Sequence, residues 1–253
     1  MGLLNYIDVL AMSSSNQWNE SNEATLESSQ TLQILKAIDE YDLASLSTIL
    51  STRPKDGAAS LDWTLIVSRA FQRLELLETI NCLATFDRVD LVVERKQEDK
   101  IPSLLRGNTC LHWLFDWYNL MSTLSFPSLP VDQDQLQHTL EQVFSLLLPL
   151  YESKHNLIEL DAMSPDPLVV LAVSNPSCFR LFSTLYERHH VSLDRLGSSG
   201  VSALHVAIAS NEMDAIKFLL KHCPQLVDVK DAQGLSAIDW ATSRGISIDS
   251  LTI

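Results

Sequence analysis

From Thr31 onward, apolar side chains recur at steps of three and four, the period that lines one face of a helix. Leu32, Leu35 and Ile38 form one run, and Leu43, Leu46, Ile49 and Leu50 a second. The polar break Asp39-Glu40-Tyr41-Asp42 between them predicts two short helices joined by a tight turn, a helical hairpin. Arg53–Ser60, with Pro54 and Gly57, reads as a loop, and Leu61–Leu83 as a further helical stretch. Val89, Leu91, Val92 and Val93 predict a short extended segment before the charged run that ends at Lys100. Thr109–Met121 predicts a helix rich in aromatics, with Trp113, Phe115, Trp117 and Tyr118. After a loop with Pro127 and Pro130, Asp134–Tyr151 predicts an amphipathic helix through Leu136, Leu140, Val143, Phe144, Leu147 and Leu148. Helical pairs follow at Pro167–Val173 with Cys178–Arg188 and at Ala203–Ser210 with Met213–His222, and a last helix begins at Ala237. Short extended pieces aside, no segment alternates as a strand does, so the expected class is all-α. Ser13–Gln30 is polar and reads as the end of a flexible N-terminal arm, in which Trp18 either docks back or moves with the chain.

Two segments repeat. Gly200-Val201-Ser202-Ala203-Leu204-His205-Val206-Ala207 has a relative 34 residues on, Gly234-Leu235-Ser236-Ala237-Ile238-Asp239-Trp240-Ala241. Spacing of this order marks stacked units that lean on their neighbours. Thr109-Cys110-Leu111-His112 and Asp166-Pro167-Leu168-Val169 share the pattern of an oxygen-bearing residue followed two places later by an apolar one. The oxygen can accept from the orphan amides of a first helical turn, and Pro167 falls at the first helical position, where its missing donor does no harm. Two places before each of these caps sits Gly107, Ser164, Gly200 or Gly234, suited to a turn that needs positive φ.

These segments resemble ankyrin repeats, whose signature is a turn glycine followed by Thr-Pro-Leu-His-x-Ala. Gly200–Ala207 matches best, Gly234–Gly245 resembles a truncated last unit, and Asp161–Ala172 keeps the pattern with Ser164 for glycine and Val169 for histidine. Gly107–His112 keeps the start, before an insertion near Ser122–Gln133 for which a period near 33 leaves no room. The resemblance implies an ankyrin-repeat solenoid of about five to six helix-turn-helix units with short β-hairpin-like loops, one unit enlarged by the insertion. The expected division is an arm at 1–30 and a solenoid at 31–253, made of a helical cap at 31–52, a divergent repeat at 57–100, a repeat with the insertion at 104–152, repeats at 161–190 and 197–224, and a capping repeat at 231–253. It also implies that loop tips and the exposed ends of inner helices contact a partner. Those positions include Arg106, Asn108, Asp116, Trp117, Met163, Ser198, Ser199, Gln233 and Arg244. Trp117 stands out because tryptophan is enriched among binding hot spots, although it could equally fill the gap left by the insertion. In the family the motif histidine, here His112 and His205, ties adjacent loops.

The net charge of −14 argues against a nucleic acid or an anionic membrane as partner, since both reward Lys and Arg. It serves solubility first, and it would also suit a protein partner with a basic surface. Cys82, Cys110, Cys178 and Cys223 lack paired CxxC spacing and read as core residues in a reducing compartment. Met1–Met12 is apolar without a basic leader, and no run of about 18 apolar residues occurs, so the expected product is soluble and cytoplasmic. Cys110/His112 and His222/Cys223 invite a nucleophilic reading, but residues one or two apart on a helix point away from each other. His189-His190 has no further ligand at metal spacing, and no phosphate loop, GxSxG or HExxH occurs. The expectation is a non-catalytic interaction module, an adaptor, scaffold or inhibitor, with no catalytic residue, cofactor or metal. The alternatives are a microbial effector with an activity hidden in its N-terminal half, and self-association through edge helices.

Overall fold

A computed structural model describes residues 26–51, 63–71, 76–84, 109–123, 132–154, 161, 164, 166–197 and 199–246. The chain divides into two compact units between residues 93 and 94. Among the described residues there is no strand, and the isolated β-bridge pairs Lys230 with Ser236. The all-α class is therefore what the helical periodicity predicted.

In the first unit, α1 (Leu26–Asp39) packs against α2 (Leu43–Ser51) and α3 (Trp63–Ala70), and α4 (Leu76–Ala84) packs against α2 and α3. Helix α1 starts inside the stretch expected to be an arm. The buried stripe of α1 is Thr31, Ile34, Ala37 and Ile38; Leu32, expected in the core, is exposed, and Leu35 is half-buried. The reason is that α1 touches two helices, so its buried arc centres on Ile34 and Ile38. The polar break is a helix reversal: Tyr41 takes φ 53°, the Asp42 amide donates to Ala37 O at 2.8 Å, and Asp42 Oδ1 accepts from the Ser45 amide at 2.9 Å. Asp39 is more than a solvated turn residue. Its two oxygens receive Arg69 Nε at 2.6 Å and Nη2 at 2.8 Å, a two-pronged tie between α1 and α3. The stretch expected as one helical run is two helices, α3 and α4.

The second unit is a double row. Its helices are α5 (Cys110–Thr123), α6 (Gln133–Lys154), α7 (Leu168–Ala172), α8 (Pro176–His189), α9 (Ala203–Ser210), α10 (Met213–His222), a 3-10 turn at Pro224–Asp228, and α11 (Ala237–Ser243). Helices α5, α7, α9 and α11 lie side by side as an inner layer, and α6, α8 and α10 as an outer one. Each inner helix also packs on the outer helix that follows it, α5 on α6, α7 on α8 and α9 on α10. Phe115 on α5 stacks on Phe144 of α6 at 6.4 Å between centroids. Phe218 of α10 meets Phe179 at 5.4 Å and Tyr186 at 5.2 Å, both on α8, which joins the outer layer.

Part of the expected insertion is helix: α5 runs through Ser122 and Thr123, and α6 begins at Gln133, while the middle of that segment lies outside the described residues. Helix α6 continues through Pro149. Both Pro149 and Ser145, whose carbonyl loses its usual donor, are exposed, so water can satisfy that oxygen. The expected cap at Asp166 is displaced by one residue. Pro167 is the N-cap of α7, and the Leu168 amide donates instead to Asp161 Oδ1 at 2.7 Å.

Gly200 sits in a left-handed turn against the next loop. It has φ +73°, and a Cβ there would stand 3.3 Å from the Ala232 amide nitrogen of the next loop. Replacing it with alanine therefore strains its own backbone and pushes on a neighbouring loop. Gly200→Ala is expected to cost about 1–2 kcal/mol, read as a lower urea midpoint at unchanged slope; Gly234→Ala, where a Cβ meets nothing within 4 Å, should cost less.

Candidate protein-interaction surface

The loops that precede α9 and α11 share one construction. The Gly197 amide donates to Val201 O at 2.9 Å, and the Asp231 amide donates to Leu235 O at 2.9 Å. The turns close through Ser164 N to Asp161 O at 3.1 Å, Gly200 N to Gly197 O at 2.9 Å and Gly234 N to Asp231 O at 2.9 Å. Asp231 is the best-anchored of these residues. Its Oδ1 accepts from the Gln233 and Leu235 amides, each at 2.9 Å, and Oδ2 from Trp240 Nε1 at 3.0 Å. Burial pushes this carboxyl up, but the Leu235 and Gln233 amides and the Trp240 indole outweigh it and hold it below its ordinary value.

Ser202 and Ser236 are the N-caps that the sequence implied. Each closes a reciprocal box, with His205 or Asp239 at the third helical position in place of the common glutamate. In the buried His205 ring, Nδ1 lies 3.2 Å from the Ser202 amide and 2.8 Å from Ser202 Oγ. An amide can only donate, so Nδ1 accepts and Nε2 carries the proton. Nε2 donates to Leu235 O at 3.1 Å, across to the next loop. His112 repeats the device: Nδ1 accepts from the Thr109 amide at 3.2 Å, and Nε2 donates to Asp161 Oδ1 at 3.2 Å. Both ring nitrogens of each motif histidine are therefore committed, one to its own helix cap and one to the next loop.

Between those two links the matching position is Val169, which cannot donate. There the tie runs through Arg195, which the sequence reading did not single out. Its guanidinium bonds Asp161 O through Nη1 and Ser164 O at 2.8 Å through Nη2, and Nη1 lies 3.6 Å from Asp161 Oδ2. Arg195 precedes the motif by several residues and belongs to no recognisable pattern, so its role shows only in three dimensions. Asn119 is a second such residue. It sits three positions after Asp116 on α5, donates to Leu171 O at 2.8 Å, and lies with Ser122 on the polar strip that faces α7 and α8.

Residues 199–232 match the family model for the ankyrin repeat, which spans the Gly200 turn, α9, α10 and the 3-10 turn. This segment is an ankyrin repeat, the protein-interaction unit that the resemblance implied. No curated protein matches the chain. No helix among the described residues is long and apolar enough to cross a membrane.

The expected contact positions divide three ways. Arg106, Asn108, Met163 and Ser198 lie outside the described residues. Ser199, Gln233 and Arg244 are exposed, and Arg244 is held in place by donating to Ala209 O at 2.7 Å. Asp116 is half-buried, and Trp117 beside it is 1% exposed. Trp117 therefore does not offer its side chain to a partner. One residue on an α-helix turns the side chain by about 100°, and the side chains of α5 left outside the core are Asp116, Asn119, Ser122 and Thr123. Trp117 points away from them into the core. Among the chemistry-bearing pairs, Cys110 is buried, and burial with the Asp194 charge raises the Cys223 thiol above its ordinary value. His190 ends α8 in the left-handed conformation, φ 51°.

Asp116 has a strongly altered ionisation. Burial, with the nearby Asp166 carboxylate adding to it, pushes its carboxyl up to about 7 from an ordinary 3.8. The folded chain then holds a proton that the unfolded chain has released. Stability from this group falls as pH rises between 3.8 and about 7, and the penalty is complete above that window. Asp116→Asn removes the ionisation. It should raise stability by on the order of 2 kcal/mol at pH 8 and by little at pH 4, measured by urea denaturation at both; equal gains would refute the assignment. Trp117→Ala, by contrast, is expected to cost about 3–5 kcal/mol at any pH, seen as loss of the cooperative melt.

Proposed function

We propose that the chain is a non-catalytic adaptor, scaffold or inhibitor that holds a partner protein along the loop tips and the open edge of the inner helices of its second unit. The carrying observation is the chain of loop-to-loop links through His112, Arg195 and His205. Tips fixed in this way lose little freedom on binding, so a few contacts suffice for affinity. Ser199, Gln233, Arg244 and the half-buried Asp116 are the contact residues we assign. The net charge of −14 favours a partner whose contact surface is basic.

The test compares quantitative affinity capture from a cell lysate by the native chain, by a Ser199→Arg/Gln233→Arg variant, and by an outer-layer control, Lys217→Ala. Proteins held by the native chain and the control should fall by roughly tenfold or more with the tip variant, since central contacts carry most binding energy. Partners retained by the tip variant and lost from the outer-layer control would overturn the proposal.

A further inference from the structure

Three inner helices start with a cap residue whose amide donates to the side chain three places on, and in two of them that side chain is an imidazole. The Thr109 amide donates to His112 Nδ1 and the Ser202 amide to His205 Nδ1, each at 3.2 Å. The Ser236 amide donates instead to a carboxylate, Asp239 Oδ2, at 2.8 Å.

A second proton on an imidazole turns its remaining acceptor into a donor. At His205 that donor and the Ser202 amide would stand head to head at 3.2 Å, and only Ser202 Oγ, at 2.8 Å, could receive it. The ring is rigid and fully buried, so Nδ1 cannot back off without moving Nε2, which holds Leu235 O of the next loop at 3.1 Å. His112 differs at this outward end. Its Nε2 meets the Asp161 carboxylate at 3.2 Å, a counter-charge for the second proton.

The charged groups around His205 have other partners or face water, with Glu212 at the N-cap of α10 half-buried. Asp231, the carboxylate in electrostatic reach of the ring, already accepts from the Gln233 and Leu235 amides and the Trp240 indole. Arg195 in the loop before α9 is bonded to Asp161 and Ser164. Asp239 serves the Ser236 cap, and Arg244 donates to Ala209 O. On α10, Asp214, Lys217, Lys221 and His222 are exposed, as are Asp228 and Lys230 beyond it, and α7 carries no charged residue.

We propose that His205 is a proton-operated joint: its second proton breaks the α9 cap and frees the loop at residues 230–236, whereas the α11 cap on Asp239 stays closed. The joint works without a partner. Release of a protein held at the tips rests on the binding reading given above, so the test reads the joint itself. Bonds from Ser236 hold the Asp239 carboxyl below its ordinary value, which makes that cap an internal control. Protonation of Asp116 stabilises the fold as pH falls, so a global melt would mix two effects that single amides separate.

Hydrogen exchange of the purified full chain at about pH 7.5 and about pH 5.5, corrected for intrinsic rates, spans the range in which an imidazole takes up its second proton. Protection of the Ser202 amide, and of the Asp231 amide that shares Leu235 O with His205, should fall about tenfold at the lower pH, while that of Ser236 changes by less than about twofold. His205→Gln keeps an acceptor for the cap and a donor for the next loop but cannot titrate, so it should abolish the fall. Should that variant not fold, heteronuclear NMR of the native His205 ring replaces it, and the fall should track proton uptake at Nδ1. Ser202 protection unchanged at the lower pH, an equal fall at Ser236, an undiminished fall in His205→Gln, or a fall while the ring holds one proton would each overturn the proposal.

Discussion

The loops before α7 and α11 receive donors from neighbouring segments of the row, and the row depends on these ties. A helix pair as short as α9 and α10 cannot bury its apolar face alone; stacking on the next pair does that. Stacking by itself, however, leaves the loops' carbonyl and carboxylate oxygens short of donors in buried positions, which is costly. His112, Arg195 and His205 remove that cost, each from one loop to the next. The same bonds fix the distance between neighbouring tips, so packing and the geometry of the surface are set by one device.

The histidines do this because an imidazole offers opposite roles on its two nitrogens. One nitrogen accepts from the helix cap of its own repeat and thereby places the proton on the other, which reaches the next loop. Valine at position 169 removes that device, and a guanidinium from the following loop takes over, with enough donors to meet two carbonyls and a carboxylate edge. Where Asp239 replaces the histidine, the carboxylate can only accept, and it turns back to its own cap.

The inner helix α5 shows the cost of fitting a surface and a core on one element. Nearly all of it is buried, and its polar side chains lie on a narrow strip toward α7 and α8. Asn119 and Ser122 are satisfied there, by Leu171 O and Asn175 Nδ2. Burial, with the Asp166 carboxylate ahead of α7 adding to it, explains why Asp116 keeps its proton to near neutral pH. An ionisable group that opposes folding when charged is a local conflict of the sort tolerated at surfaces used for recognition.

By itself, the sequence determined the helices, their caps and the repeat, because these rest on local rules. The 3.6-residue period, the serines that cap α9 and α11 and the glycines at turns 200 and 234 act within one or two turns of chain, and α9, α10 and the start of α11 fall where those signals put them. The linking histidines were legible for the same reason, since their motif sits at a fixed offset from the cap. The tertiary structure decided everything that depends on which face meets which neighbour. A shift of about 100° per residue separates the half-open Asp116 from the buried Trp117, and the direction of that strip is set by α7 and α8, far away in sequence. Arg195 took over from a missing histidine because two loops were brought side by side, and Leu32 was left outside because α1 packs against two helices at once. Burial belongs to a pair of surfaces, and a linear pattern describes one of them.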